Sequence, residues 1–503
     1  MSKQFDWTAK WKHYQPDKTA FEEFESGRSL SWKQLDQLGN FLAHQLNTEY
    51  GLKKGDRIAI LSENRLELIS LFVVAQKAGI ILVPLNYRLT APEIDFLLSE
   101  SKPSAIWYEQ QFESRLKNTG QFETIGIRET MEALESLSNE ALKNKEVPSY
   151  ENADFDENHP VFLIFTSGTT SFPKGSVYTH KMLFWNSINT EMRLDITSQD
   201  RSINCAPSFH TGSWNVLQTP FMHHGAYTLL MRKFEPEKVL SALEDYNMTI
   251  FWAVPTMLKM MAEEASFEKS NLRKLRYFVV GGEAMPIPLI EKWHSKNIPI
   301  RQGYGLTEVG PNVTSLNQED AIRKQGSIGK PNFYYEIRIA DENGNAVEQG
   351  MDGELLLKGP NVTPGYWNNP EATKNTIKNG WFHTGDLVRQ DEEGYIYVID
   401  RLKNMYISGG ENVYPAEVEF VLRQHAAIEE VAIIGVPDEK WGESGMAFVV
   451  KRKEKQTDSE KLTVFCQQRL AKYKIPKHFR FVESLPKNDA GKIDRKSLIK
   501  SLN

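Results

Sequence analysis

A chain of 503 residues, 40% hydrophobic and 25% charged, is long enough for roughly three domains of about 150 residues each and has the composition of a globular protein. Its 60 Lys and Arg against 66 Asp and Glu give a net charge of -6, which excludes a basic nucleic-acid-wrapping surface; the densest basic run, residues 451–455, is itself interrupted by Glu454. Two distant cysteines, Cys205 and Cys466, exclude a disulfide framework and a CxxC centre and suit the reducing cytoplasm.

The first 18 residues lack the apolar core of a secretory signal. Residues 57–61 read as a buried strand, 66–77 as a helix and 80–84 as a second strand, a βαβ pattern that implies a parallel sheet. The same stretch, 66–85, is the most apolar of the chain, but Glu67, Gln76 and Lys77 interrupt it and Gly79 splits it, so no transmembrane segment is expected. The rhythm recurs at 161–165 before a polar loop, at 249–254 before a proline and a Met-rich helix, and at 276–280 before Gly281-Gly282. From about residue 335 short strands at 336–339, 354–357 and 395–399 alternate with Gly-, Asn- and Pro-rich turns, which suggests an antiparallel or barrel-like part. After Asp400, Pro415 opens a helix with Glu417 and Glu419 near its positive end, followed by strands at 431–435 and 447–450 and a helix at 459–472. A domain boundary is expected near 400: residues 1–400, then 401–503.

The strongest local signal is Thr166-Ser167-Gly168-Thr169-Thr170-Ser171-Phe172-Pro173-Lys174-Gly175, straight after an apolar strand. Glycines, hydroxyls and one ammonium suit polyphosphate oxygens. It is not a Walker A loop, since Lys174 precedes Gly175 and no Gly-Lys-Ser/Thr opens a helix. Further along stand Lys77-Ala78-Gly79, Val83-Pro84-Leu85-Asn86, Gly281-Gly282-Glu283, Tyr304-Gly305-Leu306-Thr307-Glu308, Gly365-Tyr366-Trp367, Thr384-Gly385-Asp386, Asp400-Arg401-Leu402-Lys403, Ser408-Gly409-Gly410-Glu411 and Gly491-Lys492-Ile493. In this order the segments resemble the adenylate-forming superfamily, whose members include acyl-CoA synthetases, carrier-loading adenylation domains and firefly-type luciferases.

The resemblance implies an α/β fold: a large N-terminal domain of doubly wound, mostly parallel sheets with a distorted β-barrel part, and a small mobile α+β C-terminal domain hinged near Lys403. It implies that Thr166 to Thr170, Lys174, Gly281, Gly282, Glu283 and Tyr304 bind ATP and AMP, with Tyr304 packed on adenine. Thr307 would meet the α-phosphate, Glu308 hold Mg²⁺, and Asp386 and Arg401 reach the ribose. Lys492 matches a mobile lysine that bridges the carboxylate and the α-phosphate. His210 falls at a gate between acid pocket and thiol channel, and Ser408, Gly409, Gly410 and Trp441 near CoA. Two positions depart from the family pattern: Ser171, where glycine is common, and Asn404, where aspartate is.

The implied activity is that of an AMP-forming acid–thiol ligase with ATP, CoA and Mg²⁺, cytoplasmic, acting on a small-molecule acid and compatible with a homodimer. CoA is favoured over a carrier protein as acceptor because the chain ends soon after Lys492. Apolar and aromatic segments with Trp214 and Trp252 point to a hydrophobic acid, first a medium- or long-chain fatty acid and next an aryl acid of the benzoate or succinylbenzoate type. Stand-alone loading of a carrier protein is the other alternative. A kinase-type NTPase is disfavoured by the missing lysine motifs, and a catalytically dead homologue by the joint presence of Glu308, Asp386, Arg401 and Lys492.

Overall fold

The computed structural model describes residues 4–143, 147–166, 173–282, 285–408, 411–439, 441–453, 455–470, 472–488 and 491–502. Its internal contacts define two compact units, Met1–Ile337 with Leu357–Phe382 and Arg338–Leu356 with His383–Asn503. This division falls ahead of residue 400. Strand Trp381–Gln390 pairs antiparallel with Ile396–Arg401, Asp386 opposite Arg401, and so keeps residues 383–400 with the C-terminal strands and helices.

In the first unit Arg57–Leu61 lies between Ile81–Pro84 and Ala105–Tyr108, all parallel, in a six-stranded sheet. Pro160–Thr166 extends that sheet, and Lys174–Thr179 pairs antiparallel at its edge. A second sheet of four strands sets Thr19–Glu23 parallel to Tyr227–Leu230. Between them runs the helix Leu66–Ala78, all thirteen residues of which are buried. Its core partners come from both sheets, Phe21 and Leu230 from one, Ile60, Leu82 and Phe162 from the other. A helix apolar all round belongs in such a place. The polar residues that argue against a membrane span are accommodated by pairing: Lys77 Nζ lies 2.8 Å from Asp6 and 2.7 Å from Asp36, and Glu67 meets Arg28 and Arg65 at 2.9 and 2.7 Å. No described helix is long and apolar enough to cross a membrane.

A third run of strands, Ile250–Ala253, Tyr277–Val280 and Ile300–Tyr304, is parallel in that order, so their carboxyl ends share one rim. Thr314–Ser315 then returns antiparallel against Tyr304.

The second unit carries most of the short strands foreseen after residue 335, their ends a residue or two displaced: Glu336–Ala340, Asp352–Lys358 and Ile396–Arg401. Its five-stranded sheet is built on Ile428–Asp438 paired with Gly442–Lys451. Side-chain alternation sends Val431 and Ile433 to one core, with the helices Pro415–Arg423 and Ser459–Gln467, and Ala432, Ile434 and Val436 to another with Leu485 and Leu498. The second helix stops at Gln467, short of the expected 472. Only Glu417 stands in the first turn after Pro415. Glu419, buried, instead accepts from the Ile433 N–H at 2.8 Å and pairs with Arg495 at 2.5 Å, so it ties helix to sheet and does not serve the helix dipole.

Candidate active site

Glu308 is the centre of the first unit's polar cluster. The chain reaches it from Tyr304, at the carboxyl end of its strand, through a turn that only glycine permits. A β-carbon on Gly305 would stand 2.1 Å from the Pro311 carbonyl oxygen, and Gly310 takes φ +74°. Thr307–Val309 forms one 3₁₀ turn, and the Glu308 carbonyl accepts from the Thr363 N–H at 2.7 Å.

Thr166 and Lys174 face each other across the hairpin formed by Pro160–Thr166 and Lys174–Thr179. The motif therefore joins strand to strand, in keeping with its not being a Walker loop, and the helix His180–Leu194 begins only afterwards. Residues 365–367 lie along the return strand: Val177 N–H donates to Gly365 and Trp367 N–H to the Gly175 carbonyl. This register delivers Tyr366, whose hydroxyl donates to Glu308 Oε1 at 3.0 Å, while Thr166 Oγ1 donates to the same oxygen at 3.3 Å. Lys174 Nζ stands 5.4 Å from the Tyr366 ring centroid. Burial, reinforced by the Glu308 carboxylate, pushes the Tyr366 hydroxyl up from its ordinary value, so it stays protonated and a donor.

The Glu308 carboxylate with two hydroxyls beside it is an oxygen set that fits a hard dication shared with phosphate oxygens, and the Lys174 ammonium suits the phosphate oxygens themselves. No group of three or more His, Cys, Asp or Glu side chains able to hold a metal alone occurs among the described residues. Gly281 and Gly282 follow the strand Tyr277–Val280, and Gly282 takes φ +90°, a conformation that favours glycine. His210, half-buried, sits just ahead of the π-helix Ser213–Gln218 and stacks obliquely on Phe209 at 4.4 Å between centroids.

In the second unit Asp386, buried, holds Arg401 across the strand pair, Nε to Oδ1 2.5 Å. Glu354 braces the strand just ahead of Asp386 by accepting from the Gly385 N–H at 2.9 Å and meeting His383 Nδ1 at 2.8 Å. Its distance in sequence from residues 384–386 hid this role. Lys403 lies in the short helix Leu402–Asn404. Asn404 Nδ2 donates to Asp400 Oδ1 at 3.1 Å, a bond that the commoner aspartate could not give in its ionised form. Ser408 is buried at the end of its strand, opposite Gly442. Trp441 is half-buried with Lys477 Nζ 5.3 Å from its ring centroid. Lys492 is exposed on a turn closed by Asn488, which accepts from the Lys492 N–H at 3.0 Å and donates to its carbonyl at 2.7 Å.

The structure thus brings together Thr166, Lys174 and Glu308 in the first unit and Asp386 with Arg401 in the second. Ser167, Gly168, Thr169, Thr170, Glu283, Gly409 and Gly410, and the departure Ser171, lie outside the described residues. The contribution of Tyr366 to Glu308 went unassigned in the sequence, although its motif was visible.

Residues 7–367 match the family model of the AMP-binding enzyme and residues 417–492 that of the AMP-binding enzyme C-terminal domain. A feruloyl-CoA synthase from Amycolatopsis sp is 35% identical over 496 residues, 97% of this chain and 96% of that one. The long-chain-fatty-acid–CoA ligase FadD13 of Mycobacterium tuberculosis is 37% identical over 481 residues, covering 95% and 94%. The solved O-succinylbenzoate coenzyme A synthetase (MenE) from Bacillus subtilis, in complex with ATP and magnesium ion, superposes with a TM-score of 0.85 at 32% identity over 98% of this chain and 99% of that one. The chain belongs to the AMP-binding enzyme family, in its acyl-CoA synthetase branch, and is an AMP-forming acid–thiol ligase.

Proposed function

We infer that the chain joins a hydrophobic carboxylic acid, a fatty or an aryl acid, to coenzyme A in two half-reactions. The observation that carries the reading is the convergence of the Thr166 and Tyr366 hydroxyls on Glu308 at the mouth of the hairpin that bears Lys174. In the first half-reaction a carboxylate oxygen attacks the α-phosphorus of ATP, the bond to the β-phosphate oxygen breaks, and acyl-AMP and pyrophosphate form. In the second the CoA sulfur attacks the acyl carbon, the thiol proton is lost and AMP leaves. Neither half calls for a protein nucleophile, only for charge neutralisation and alignment.

Thr166, Lys174 and Thr307 are assigned to the phosphates, Tyr304 to adenine, and Asp386 with Arg401 to the ribose. Magnesium, when bound, supplies the neutralising charge for the pyrophosphate leaving group, and Glu308 is the carboxylate that would hold it. Lys492 serves adenylation, and Ser408, Gly409, Gly410 and Trp441 the thiol step, with His210 between acid and thiol. This division of work implies that the part beyond about residue 400 turns about Lys403 between the steps. The relatives divide by name among feruloyl, long-chain-fatty-acid and succinylbenzoate ligases, which supports an acid of this general class.

The test gives purified protein Mg·ATP, CoA and pooled fatty, aryl and amino acids, and reads the products by mass spectrometry. An acyl-CoA with AMP is expected; acyl-adenylate without thioester would instead mark a carrier protein as acceptor. Lys492→Ala is expected to abolish pyrophosphate exchange yet still make thioester from supplied acyl-adenylate, and loss of both would overturn the assignment of Lys492.

A further inference from the structure

Parallel sheets of this kind bind ligands at the carboxyl ends of their strands. Trp252, next to last in the strand Ile250–Ala253, stands at that rim. A β-carbon on Gly212 would lie 2.7 Å from its Cη2 and 2.8 Å from its Cζ2, nearer than real contacts come, and one on Gly281 would lie 4.0 Å from its Nε1. A single indole therefore occupies the room that a side chain at Gly212 would need, and reaches the glycine that ends the adjacent strand. Gly212 comes two residues after His210, and Gly281 precedes Gly282. The indole is fixed there, packed against an apolar cluster that includes Val216, Leu217, Tyr277 and Val279.

Against the indole lies a cavity of about 10 Å³, lined by apolar Ile203 and Leu217 as well as by Ser202, Asn204, Gln218 and Thr228. That is the room of one water. A neighbouring cavity of about 10 Å³ shares Asn204, Ser213 and Gln218 and is closed by Leu68, Ile69 and Leu230. The Thr228 hydroxyl is buried with no hydrogen-bond partner. The space behind Trp252 is thus no larger than one water and is closed by packed side chains, so a methylene tail finds no room in it.

We propose that Trp252 is the end wall of the acid site and that the substrate is a compact aryl acid and not a long-chain fatty acid. The proposal rests on the acid–CoA ligase reading given above. Rates of acyl-CoA formation are compared for benzoate, cinnamate, octanoate and palmitate, in wild type, Trp252→Phe and Trp252→Ala, with Mg·ATP and CoA. Wild type is expected to favour the aryl acids over palmitate by about 100-fold, the scale on which a pocket wall discriminates. Trp252→Ala is expected to shift that ratio at least ~10-fold toward octanoate and palmitate, with Trp252→Phe in between. A wild type that prefers palmitate, or two variants with the wild-type ratio, overturns the wall while leaving the ligase reading intact. Absence of thioester and adenylate from every acid in wild type would overturn the ligase reading itself. If Trp252→Ala does not fold, the wild-type ranking and the Trp252→Phe ratio decide.

Discussion

Gly305 is where one missing carbon governs the chemistry. Its absent side chain faces backbone atoms of Pro311, the carbonyl carbon at 2.3 Å and the oxygen at 2.1 Å from an ideal β-carbon, and backbone cannot swing aside as a side-chain tip can. Gly305→Ala must open the turn that carries Thr307 and Glu308. Misplacement by about 1 Å costs on the order of 100-fold in rate, so pyrophosphate exchange is expected to fall by that factor. The fold is expected to lose about 1–3 kcal/mol, as overpacked sites do, measured by urea unfolding. Unchanged exchange would mean that the turn tolerates the shift. Tyr366 illustrates the complementary case, a side chain whose hydroxyl has meaning only because residues 365–367 run along the strand Lys174–Thr179 and so reach Glu308.

The π-helix Ser213–Gln218 is the element that local sequence conceals most fully, since its residues carry no pattern distinct from an α-helix. Buried amides from elsewhere satisfy its carbonyls. Asn186 Nδ2 donates to Asn215 O at 2.7 Å, and Asn312 Nδ2 lies 3.2 Å from Val216 O and 3.4 Å from Asn215 O. Asn312 comes four residues after Glu308, so one amide connects the Glu308 turn to the helix beside His210. Asn312→Leu leaves Val216 O without this donor, and a buried unsatisfied group costs about 1–3 kcal/mol. Faster amide exchange over 213–218 is expected, with a raised KM for the acid and a KM for ATP within about twofold of wild type; the split is the expected signature of a helix that borders the acid and not the nucleotide. Equal rises in both constants would refute that placement. The helix Leu66–Ala78 teaches the opposite lesson. Its period and length were legible, but Glu67 and Lys77 looked like breaks in an apolar run until their partners were seen.

At the scale of the whole molecule, buried histidines make stability depend on acid. His180, fully buried, lies between Phe5 and Phe155 at 5.1 and 4.7 Å, and neither ring nitrogen has a hydrogen-bond partner. Burial lowers it to about 3, and His223 likewise to about 3, against an ordinary 6.5. Below pH 6.5 the unfolded chain takes up these protons and the folded chain does not until about pH 3, so the stability they contribute at neutral pH is lost as pH falls through that window. The loss approaches about 1.4 kcal/mol per pH unit per group. His180→Phe, which keeps an aromatic ring among aromatic rings, is expected to flatten the fall and gain about 2 kcal/mol relative to wild type at pH 5 compared with pH 7. Unfolding midpoints across pH 4–7 check this; parallel curves for the two proteins would contradict it.

The sequence by itself determined the order of strands and helices, the α/β class, and the family, because periodicity and turn chemistry act over a few residues and the motifs stand in a fixed order along the chain. The carboxylate Glu308, the ammonium Lys174 and the pair Asp386 and Arg401 were legible as candidates for the same reason. Only the tertiary structure decided that Tyr366 serves Glu308, that Glu354 braces the strand ahead of Asp386, that Asn312 supports a π-helix, and that Trp252 fills the space at Gly212. Each of these is a meeting between residues 31 or more positions apart, or a fit to a void left by a glycine. Such meetings arise from packing and register, which no local pattern encodes.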